Sequence, residues 1–442
     1  MLGKGEFFIA KKGNPMSTSI RKGLLQFIFS GAYMKRWNDK LRSMELIEID
    51  KQAHKMIVAW MLCQLSSKDM SPEERLSLEE EVVEGGIFDY LFRLIITDIK
   101  PPILYRIKEN PEHYRKLAEW AVEEAETHVR PLGEEFWERF LAYALEPKPL
   151  GRASRILGAA HQFASAWEFR LLAAINAPFD DEAGDITRSF EEQLRDYSDI
   201  PGVAELLSGL MQPADVKRRT GETSSLTKIT NLCGQLRFQK RWSQTPRTPE
   251  TSVMGHMFIV ACYAYFISMA LGTCRARRVN NFFTGLFHDL PEMLTRDIIS
   301  PVKKSFESLG QLIREYEESE LERRVLRPLE ADGYTQIAGR LGYYLGLDLG
   351  SEFKECIIRD GKAEAVSFES LQGTYNEDRF DPKDGDAIKI CDILAAYIEA
   401  YTAMRNGITS DHIQQAFWRM REQNAKRVIG DVHVGALFTD FD

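Results

Sequence analysis

The chain has 442 residues and a formal net charge of -9 at pH 7. This length is enough for two domains, each with its own core, and the lack of a basic excess argues against a protein that binds nucleic acid or an anionic membrane surface. The six cysteines are scattered and form no Cys-x-x-Cys pair, so we expect reduced thiols and a cytoplasmic location. Residues 1–15 lack the apolar run and the cleavage site of a signal peptide.

Helical periodicity dominates the chain from its N-terminal part onward. Apolar residues recur at i, i+3 and i+4 in the segments 50–65, 112–128 and 133–145, which predicts amphipathic helices. Prolines separate such segments, as at Lys100-Pro101-Pro102 and Gln212-Pro213. We therefore predict an all-α fold, organised as a helical bundle.

One stretch predicts β structure. Residues 353–367 place Asp360-Gly361 between two short runs, and an Asp-Gly pair in that position is typical of a tight hairpin turn. The hairpin lies in a longer polar stretch, 347–386, which we interpret as an insertion between helices.

Features of the C-terminal part recur, in the same order, in the N-terminal part. Arg36-Trp37 precedes His54 in an apolar segment, as Arg241-Trp242 precedes His256. Each match is weak alone, but their common order favours a tandem duplication.

The two predicted copies span 18–212 and 222–442. The N-terminal copy keeps a histidine and Asp98, but Thr97 stands where the other copy has its central histidine, and Arg155 stands where it has its last aspartate. A guanidinium has no lone pair to give to a metal, so this copy is expected to be a degenerate, structural or regulatory domain. The alternative is an unrelated helical domain.

The C-terminal copy carries the residues of a metal site. His256, His288, Asp289 and Asp392 all lie on apolar, helix-forming segments. Two imidazoles and two carboxylates suit Mn, Fe, Co, Ni or Zn better than Mg or Ca, and a metal is a natural partner for carboxylates placed in a core. The alternative is that each histidine is a hydrogen-bonded core residue and each aspartate a helix cap.

The apolar run 257–274 is nearly long enough to span a bilayer. A serine within it, a preceding histidine and the lack of a second such run favour a buried core helix.

The His-Asp doublet and its surroundings resemble the HD superfamily of metal-dependent phosphohydrolases, with the signature H…HD…D, and most closely its bacterial 5′-deoxynucleotidases. The segment HDLPEMLTRDIISPVK carries the matching residues: His288, Asp289, Glu292, Leu294, Thr295, Asp297, Pro301, Val302 and Lys303. The family's Arg-Trp ahead of the first histidine is matched by Arg241-Trp242. The resemblance implies an HD-domain helical bundle.

The resemblance also implies roles for residues around the metal. Glu292, four residues after His288 and therefore on the same helix face, would transfer a proton or orient water, with Asp289 beside it as ligand and catalytic group. The substrate would be held by the phosphate-binding Arg241, the flat Trp242, Thr295 and Asp297. The chain departs from the family at the first ligand, where Gly255-His256-Met257 replaces the family's Glu-His-Ser. The polar neighbours of this histidine are therefore missing, and the resemblance does not determine the identity of the substrate.

No histidine lies between Asp289 and Asp392, whereas HD proteins with two irons add histidines in that interval, so one metal is expected. The expected function is a single-metal phosphohydrolase that removes phosphate from nucleoside 5′-monophosphates, in particular the deoxy forms. The alternatives are hydrolysis of another nucleotide, such as a dNTP or an alarmone, and a non-catalytic, metal-stabilised scaffold. The expected partner is a nucleotide, not a nucleic acid or a membrane, and the chain would be a monomer with two pseudo-dimeric halves or a homodimer.

Overall fold

A computed structural model describes residues 19–97, 99–147, 150–211, 223–295 and 307–441. We refer to 19–211 as the N-terminal half and to 223–441 as the C-terminal half. Helices make up almost all of the regular structure, which confirms the all-α prediction. The segment 212–222, where one predicted copy would end and the next begin, lies outside the described residues.

The N-terminal half consists of helices joined by short turns. Their bounds are α1 Lys22–Phe29, α2 Glu48–Ser66, α3 Pro72–Ile96, α4 Pro101–Glu109, α5 Pro111–Val129, α6 Glu134–Leu145, α7 Arg152–Asn176, α8 Glu182–Arg195 and α9 Val203–Met211.

The C-terminal half adds one small sheet to its helices. Its elements are α10 Ser225–Gly234, α11 Val253–Ala270, α12 Arg275–Phe287, α13 Glu292–Thr295, α14 Glu307–Leu321, α15 Arg327–Ala331, α16 Thr335–Tyr344, β1 Cys356–Arg359, β2 Lys362–Ala365, α17 Phe368–Gly373, α18 Gly385–Arg405, α19 Asp411–Asn424 and α20 Ala436–Thr439.

Helices α2 and α11 form the centre of the molecule, where they pack against each other. Nearly every side chain of α11 is buried, as expected for a helix that is apolar on all sides. It is the one helix of the described chain that is long and apolar enough to cross a membrane, and 89% of it is buried inside the protein. The prediction that this apolar run forms a buried core helix is thus confirmed.

The predicted hairpin is present in the polar stretch. Strands β1 and β2 pair antiparallel, with Arg359 opposite Lys362. Asp360 and Gly361 form the two-residue turn with φ of 50° and 75°, the left-handed conformation that an Asp-Gly turn accommodates. The hairpin at 353–367 is therefore confirmed.

A local backbone structure recurs in the two halves. An isolated antiparallel bridge joins Lys35 to Ile47, and another joins Lys240 to Ser252, each directly ahead of a central helix. Corresponding residues of the two bridges are separated by the same 205 positions. Between the bridge residues, the tryptophan of each Arg-Trp pair has a φ of 56°. This register makes Lys51 the counterpart of His256, whereas the sequence comparison placed His54 there.

The same register places Asp50 opposite Gly255, and these two residues touch across the contact between α2 and α11. Ser252, at the start of α11, donates a hydrogen bond to Oδ1 of Asp50 at 2.6 Å and accepts one from the backbone of Gly255 at 2.9 Å. A Cβ atom on Gly255 would lie 2.7 Å from Oδ1 of Asp50. Only glycine leaves room for the Asp50 carboxylate here, which explains the glycine ahead of the first predicted ligand.

Candidate metal centre

The predicted ligands come from three helices that meet beside the core. His256 lies in the first turn of α11, His288 directly follows the last residue of α12, and Asp392 lies in α18. Gly285 lets α12 approach α11 closely, since a Cβ there would lie 2.9 Å from the backbone of Ala261. This approach brings the two imidazole rings to a centroid distance of 5.4 Å.

The structure brings all four predicted ligands together. The candidate ligand atoms of His256, His288 and Asp289 lie within 4.8 Å of one another. Nε2 of His256 lies 3.1 Å from Oδ1 of Asp392 and 3.8 Å from Oδ2 of Asp289. Nε2 of His288 lies 3.2 Å from the same Asp289 oxygen.

The donor atoms fit a divalent metal. Nδ1 of His288 donates a hydrogen bond to the carbonyl of Gly285 at 2.8 Å, which directs Nε2 into the cluster. That Nε2 is buried and makes no hydrogen bond of good geometry. A metal-binding histidine whose other nitrogen is held by a backbone carbonyl is a common arrangement, and two imidazoles with carboxylates suit a transition ion.

Electrostatics of the cluster also favour a cation. Burial by itself lowers the pKa of His288, but the carboxylates of Asp289 and Asp392 outweigh it and raise that pKa to about 9. The pKa of Asp289 is held below its usual range, because the two histidines outweigh the effect of burial. The carboxylates therefore remain ionised and create a negative potential that a metal ion would neutralise.

Arg241 reaches this cluster from a fixed position. Its Nη1 lies 3.4 Å from Oδ2 of Asp289, and its Nε lies 3.4 Å from Oε2 of Glu399. Nε1 of Trp242 donates to the same glutamate oxygen at 2.8 Å. Glu399 is fully buried on α18, so it holds the Arg-Trp pair from behind, and the guanidinium faces the metal ligands.

Sequence reasoning missed Glu399 and Lys389, which contact predicted site residues. Lys389 Nζ donates to Oδ2 of Asp392 at 2.9 Å and lies 4.3 Å from the ring centroid of Phe353. The available signal was their spacing, because Lys389 precedes Asp392 by one helical turn and Glu399 follows it by two on an otherwise apolar helix.

Among the remaining predicted site residues, Glu292 lies in the wall of a cleft. Glu292 begins α13, is 7% exposed and lines this cleft together with His288 and Asp289. Thr295 donates a hydrogen bond to Glu317 at 2.8 Å. Asp297 lies outside the described residues, as do Pro301, Val302 and Lys303 of the same motif.

The cleft opens beside the metal ligands and is bounded by α14 and by the turn after α16. Its lining residues are His288, Asp289, Pro291, Glu292, Gly310, Ile313, Arg314, Glu317, Glu318, Leu321, Leu345, Gly346, Leu347, Gly350, Ser351 and Glu352. Carboxylates predominate among the charged groups of this described lining. The segment 347–386, predicted to be an insertion, thus contributes to one wall.

The N-terminal half lacks these ligands at the corresponding positions. Lys51 takes the place of His256, and its Nζ lies 2.6 Å from Nδ1 of His161. His54 instead accepts from Arg237 and contacts the carbonyl of Thr230, both buried. Asp98, the other ligand that this half was expected to retain, lies outside the described residues.

Comparison with known proteins bears on the C-terminal half. The family model described as HD domain matches residues 233–421, a segment that includes all four candidate ligands, the Arg-Trp pair and Glu292. No curated protein and no solved structure matches the chain. The match, the helical fold and the His/Asp cluster show that this segment is similar to HD domains, which are generally hydrolases and bind divalent metals.

Proposed function

We propose that the protein is a single-metal phosphohydrolase that removes phosphate from nucleoside 5′-monophosphates, in particular the deoxy forms. The observation that carries this proposal is the placement of Arg241, whose guanidinium lies 3.4 Å from a ligand carboxylate. A phosphate oxygen bound to the metal would lie within reach of this group, and arginine grips a phosphate with two parallel hydrogen bonds.

One divalent transition ion (Mn, Co, Fe, Ni or Zn) would be held by His256, His288, Asp289 and Asp392. When bound, it would supply positive charge for the phosphate and lower the pKa of a water molecule toward neutrality. The protein's own contribution is to fix the four ligands on three packed helices. It also fixes Arg241 against Glu399, so that neither has to reorganise when phosphate binds.

Glu292 is the group proposed to move a proton. It lies in the wall of the cleft next to the ligands and is itself not needed to complete the ligand set. As the P–O5′ bond breaks, its carboxyl group would give a proton to the leaving O5′ oxygen. The attacking water would form the new P–O bond, and one of its protons would then return from the released phosphate to the Glu292 carboxylate. Trp242, beside Arg241, would provide a flat apolar surface for the sugar or base.

The charge of the cleft supports one phosphate rather than three. The described lining carries Glu317, Glu318 and Glu352, and Arg314 is the one arginine or lysine among these described residues. A triphosphate would place further negative groups against these carboxylates, whereas a monoester places its one phosphate at the metal and Arg241. This favours a monophosphate over a dNTP.

We further propose that the N-terminal half is a degenerate copy that supports the C-terminal one. The recurring bridge, the left-handed tryptophan and the buried glutamate behind each Arg-Trp pair support a duplication. The chain would then be a monomer with two pseudo-dimeric halves, or a homodimer, with a nucleotide and no nucleic acid as its partner. All six cysteines are free, which supports a cytoplasmic location.

Phosphate release from a panel of ribo- and deoxynucleoside mono- and triphosphates, with Mn or Co added, tests the proposal. We expect release from 5′-monophosphates, and we expect Glu292→Gln to lower kcat by about 100-fold or more without changing the metal content. Release from triphosphates alone would show that the substrate is wrong. A protein that binds metal and releases phosphate from nothing would instead be a metal-stabilised scaffold.

A further inference from the structure

The N-terminal half has basic side chains where the C-terminal half has its metal ligands. Lys51 corresponds to His256 by the backbone bridges. His161, rather than the Arg155 that the sequence comparison placed there, corresponds to Asp392, since each lies seven residues before the buried glutamate behind its Arg-Trp pair. The contact at 2.6 Å between Lys51 and His161 matches the one at 3.1 Å between His256 and Asp392. An ammonium and an imidazole thus replace an imidazole and a carboxylate.

Two arginines complete this basic cluster, which we define as Arg36, Lys51, Arg93 and His161. Arg36 corresponds to Arg241, and its side chain is 12% exposed. Arg93 is 17% exposed and follows Leu91-Phe92 as His288 follows Leu286-Phe287. His161 is exposed, so the cluster is open to solvent on one side.

The two carboxylates nearest to the basic cluster are already occupied by other donors. Glu168 accepts from Arg36 at 2.7 Å and from Arg237 at 2.8 Å. Glu48 accepts from Arg36 at 2.8 Å and from Gln52 at 2.7 Å, and Arg93 lies 3.4 Å from it. Lys51, although 1% exposed, makes no salt bridge to any described carboxylate, and its one described partner is the ring of His161. A buried ammonium without a counter-ion is costly.

The surroundings of Lys51 disfavour the charged form of its side chain. Burial lowers the pKa of its ammonium group well below the usual value, and the charges of Arg36, Lys55 and Arg93 lower it further, against the opposing effect of Glu48. A bound anion would reverse these effects, because it would supply the missing counter-ion in a region of low dielectric.

We propose that the basic cluster binds a phosphate dianion, either free or as the terminal group of a phosphate monoester. Arg36, whose guanidinium already donates to Glu168, Glu48 and Ser165, would contribute its charge, and Lys51 would donate to the phosphate and stand in for the metal as the central positive charge. This site is separate from the metal centre and does not depend on which substrate that centre hydrolyses. Phosphate bound here would be retained without chemistry, because no metal-binding pair remains at these positions.

Titration of the metal-stripped full-length protein with inorganic phosphate, followed by calorimetry at constant ionic strength, tests the proposal. We expect Lys51→Met, which keeps the buried stem, and His161→Glu, on the exposed side, each to weaken phosphate binding by about tenfold or more. Lys35→Met is the matched control, because Lys35 is an exposed lysine paired with Glu45, and it should leave binding within about twofold. Because His161 is exposed, its variant remains informative if Lys51→Met does not fold.

Two results would overturn the proposal. One is the absence of phosphate binding to the metal-stripped wild-type protein. The other is binding that survives both cluster substitutions and is lost in Arg241→Met, which would place the phosphate in the C-terminal half. A parallel titration with a nucleoside 5′-monophosphate shows whether the bound phosphate is free or part of an ester. If the monophosphate binds more tightly than inorganic phosphate, the site recognises a phosphate ester. If the two bind equally, it recognises free phosphate.

Discussion

The two Arg-Trp pairs of the molecule are held alike, but the groups near them differ, since Lys51 and His161 stand in one half where His256 and Asp392 stand in the other. Nε of Arg36 and Nε1 of Trp37 lie 2.7 and 3.1 Å from one oxygen of Glu168, as the pair at 241–242 does with Glu399. Beyond this shared clamp, Arg36 donates at 2.8 Å to Glu48, a carboxylate that Arg93 also approaches, whereas Arg241 lies 3.4 Å from Asp289, one of the candidate ligands. The same buried glutamate and Arg-Trp pair thus occur in both halves, although the residues that would bind a ligand differ between them.

Loss of a metal ligand is the strongest test of this contrast. We expect Asp289→Ala to abolish stoichiometric metal binding and to lower turnover by about 1,000-fold or more, because both the metal and its water would be lost. Lys51→Met, at the position of His256 in the other half, should leave metal content and turnover unchanged. Metal content is measured by elemental analysis, and a metal-free Lys51→Met protein would show that the N-terminal half takes part in metal binding.

The two arginines should differ when each is changed to lysine. Arg241→Lys keeps the charge but removes the forked donor, so we expect kcat/KM for a nucleoside monophosphate to fall by about 10- to 100-fold. Arg36→Lys, the matched change in the other half, should leave kcat/KM within about twofold. Equal losses in the two variants would mean that the clamp serves folding rather than substrate binding.

The contact between the halves predicts a pH dependence of stability. Burial raises the pKa of Asp50 to about 6, although its hydrogen bond from Ser252 opposes the shift. Because the folded state binds this proton more tightly than the unfolded state does, the stabilising contribution is complete below about pH 4 and is lost as the pH rises through about 6. Relative to Asp50→Asn, the wild-type free energy of unfolding should therefore fall by about 2–3 kcal/mol between pH 4 and pH 7.

Denaturant unfolding of both proteins across this pH range measures the effect. The asparagine variant retains an acceptor for Ser252 and removes the titrating group. If the free energy of unfolding depends on pH in the same way for both proteins, the protonation state of Asp50 does not change in this pH range, and the prediction is wrong.

Gly255→Ala should have a smaller effect at the same contact. The added Cβ would lie 2.7 Å from Asp50 and 2.9 Å from Ile49, so the two central helices must separate slightly, at a cost of about 1–2 kcal/mol. Asp50→Ala in the same chain should recover part of that loss. A double-mutant cycle in denaturant measures the coupling, and strictly additive effects would contradict the close approach of these two residues.

The sequence was sufficient for the fold class and the hairpin, and it selected four candidate ligands that the fold brings together, because helical periodicity, the Asp360-Gly361 pair and the His-Asp doublet are local signals. It was insufficient for the register between the halves. His54 lies three residues after Lys51 and therefore on a similar helix face, so periodicity cannot distinguish them. The backbone bridge that distinguishes them forms between residues 12 positions apart along an irregular loop, where no periodic pattern exists.

Glu399 illustrates a second limit of sequence reasoning. A buried carboxylate on an apolar helix can cap, pair or bind metal, and the choice depends on which donors the tertiary fold delivers. Here three polar groups from one loop converge on it, namely Arg241, Trp242 and Thr251. Two of these belong to the Arg-Trp pair that the sequence identified, but their common partner lies more than 150 residues further along the chain.

The meeting of Asp50 and Gly255 also bears on how such a chain avoids wrong assembly. These residues occupy matched positions, so pairing two C-terminal halves would set glycine against glycine and leave an empty space, and pairing two N-terminal halves would set two buried carboxylates against each other. Only the pairing of an N-terminal half with a C-terminal half sets an aspartate against a glycine and fills the space. Separately expressed halves would therefore recognise each other in preference to themselves, and the linkage of both in one chain keeps their ratio at one to one.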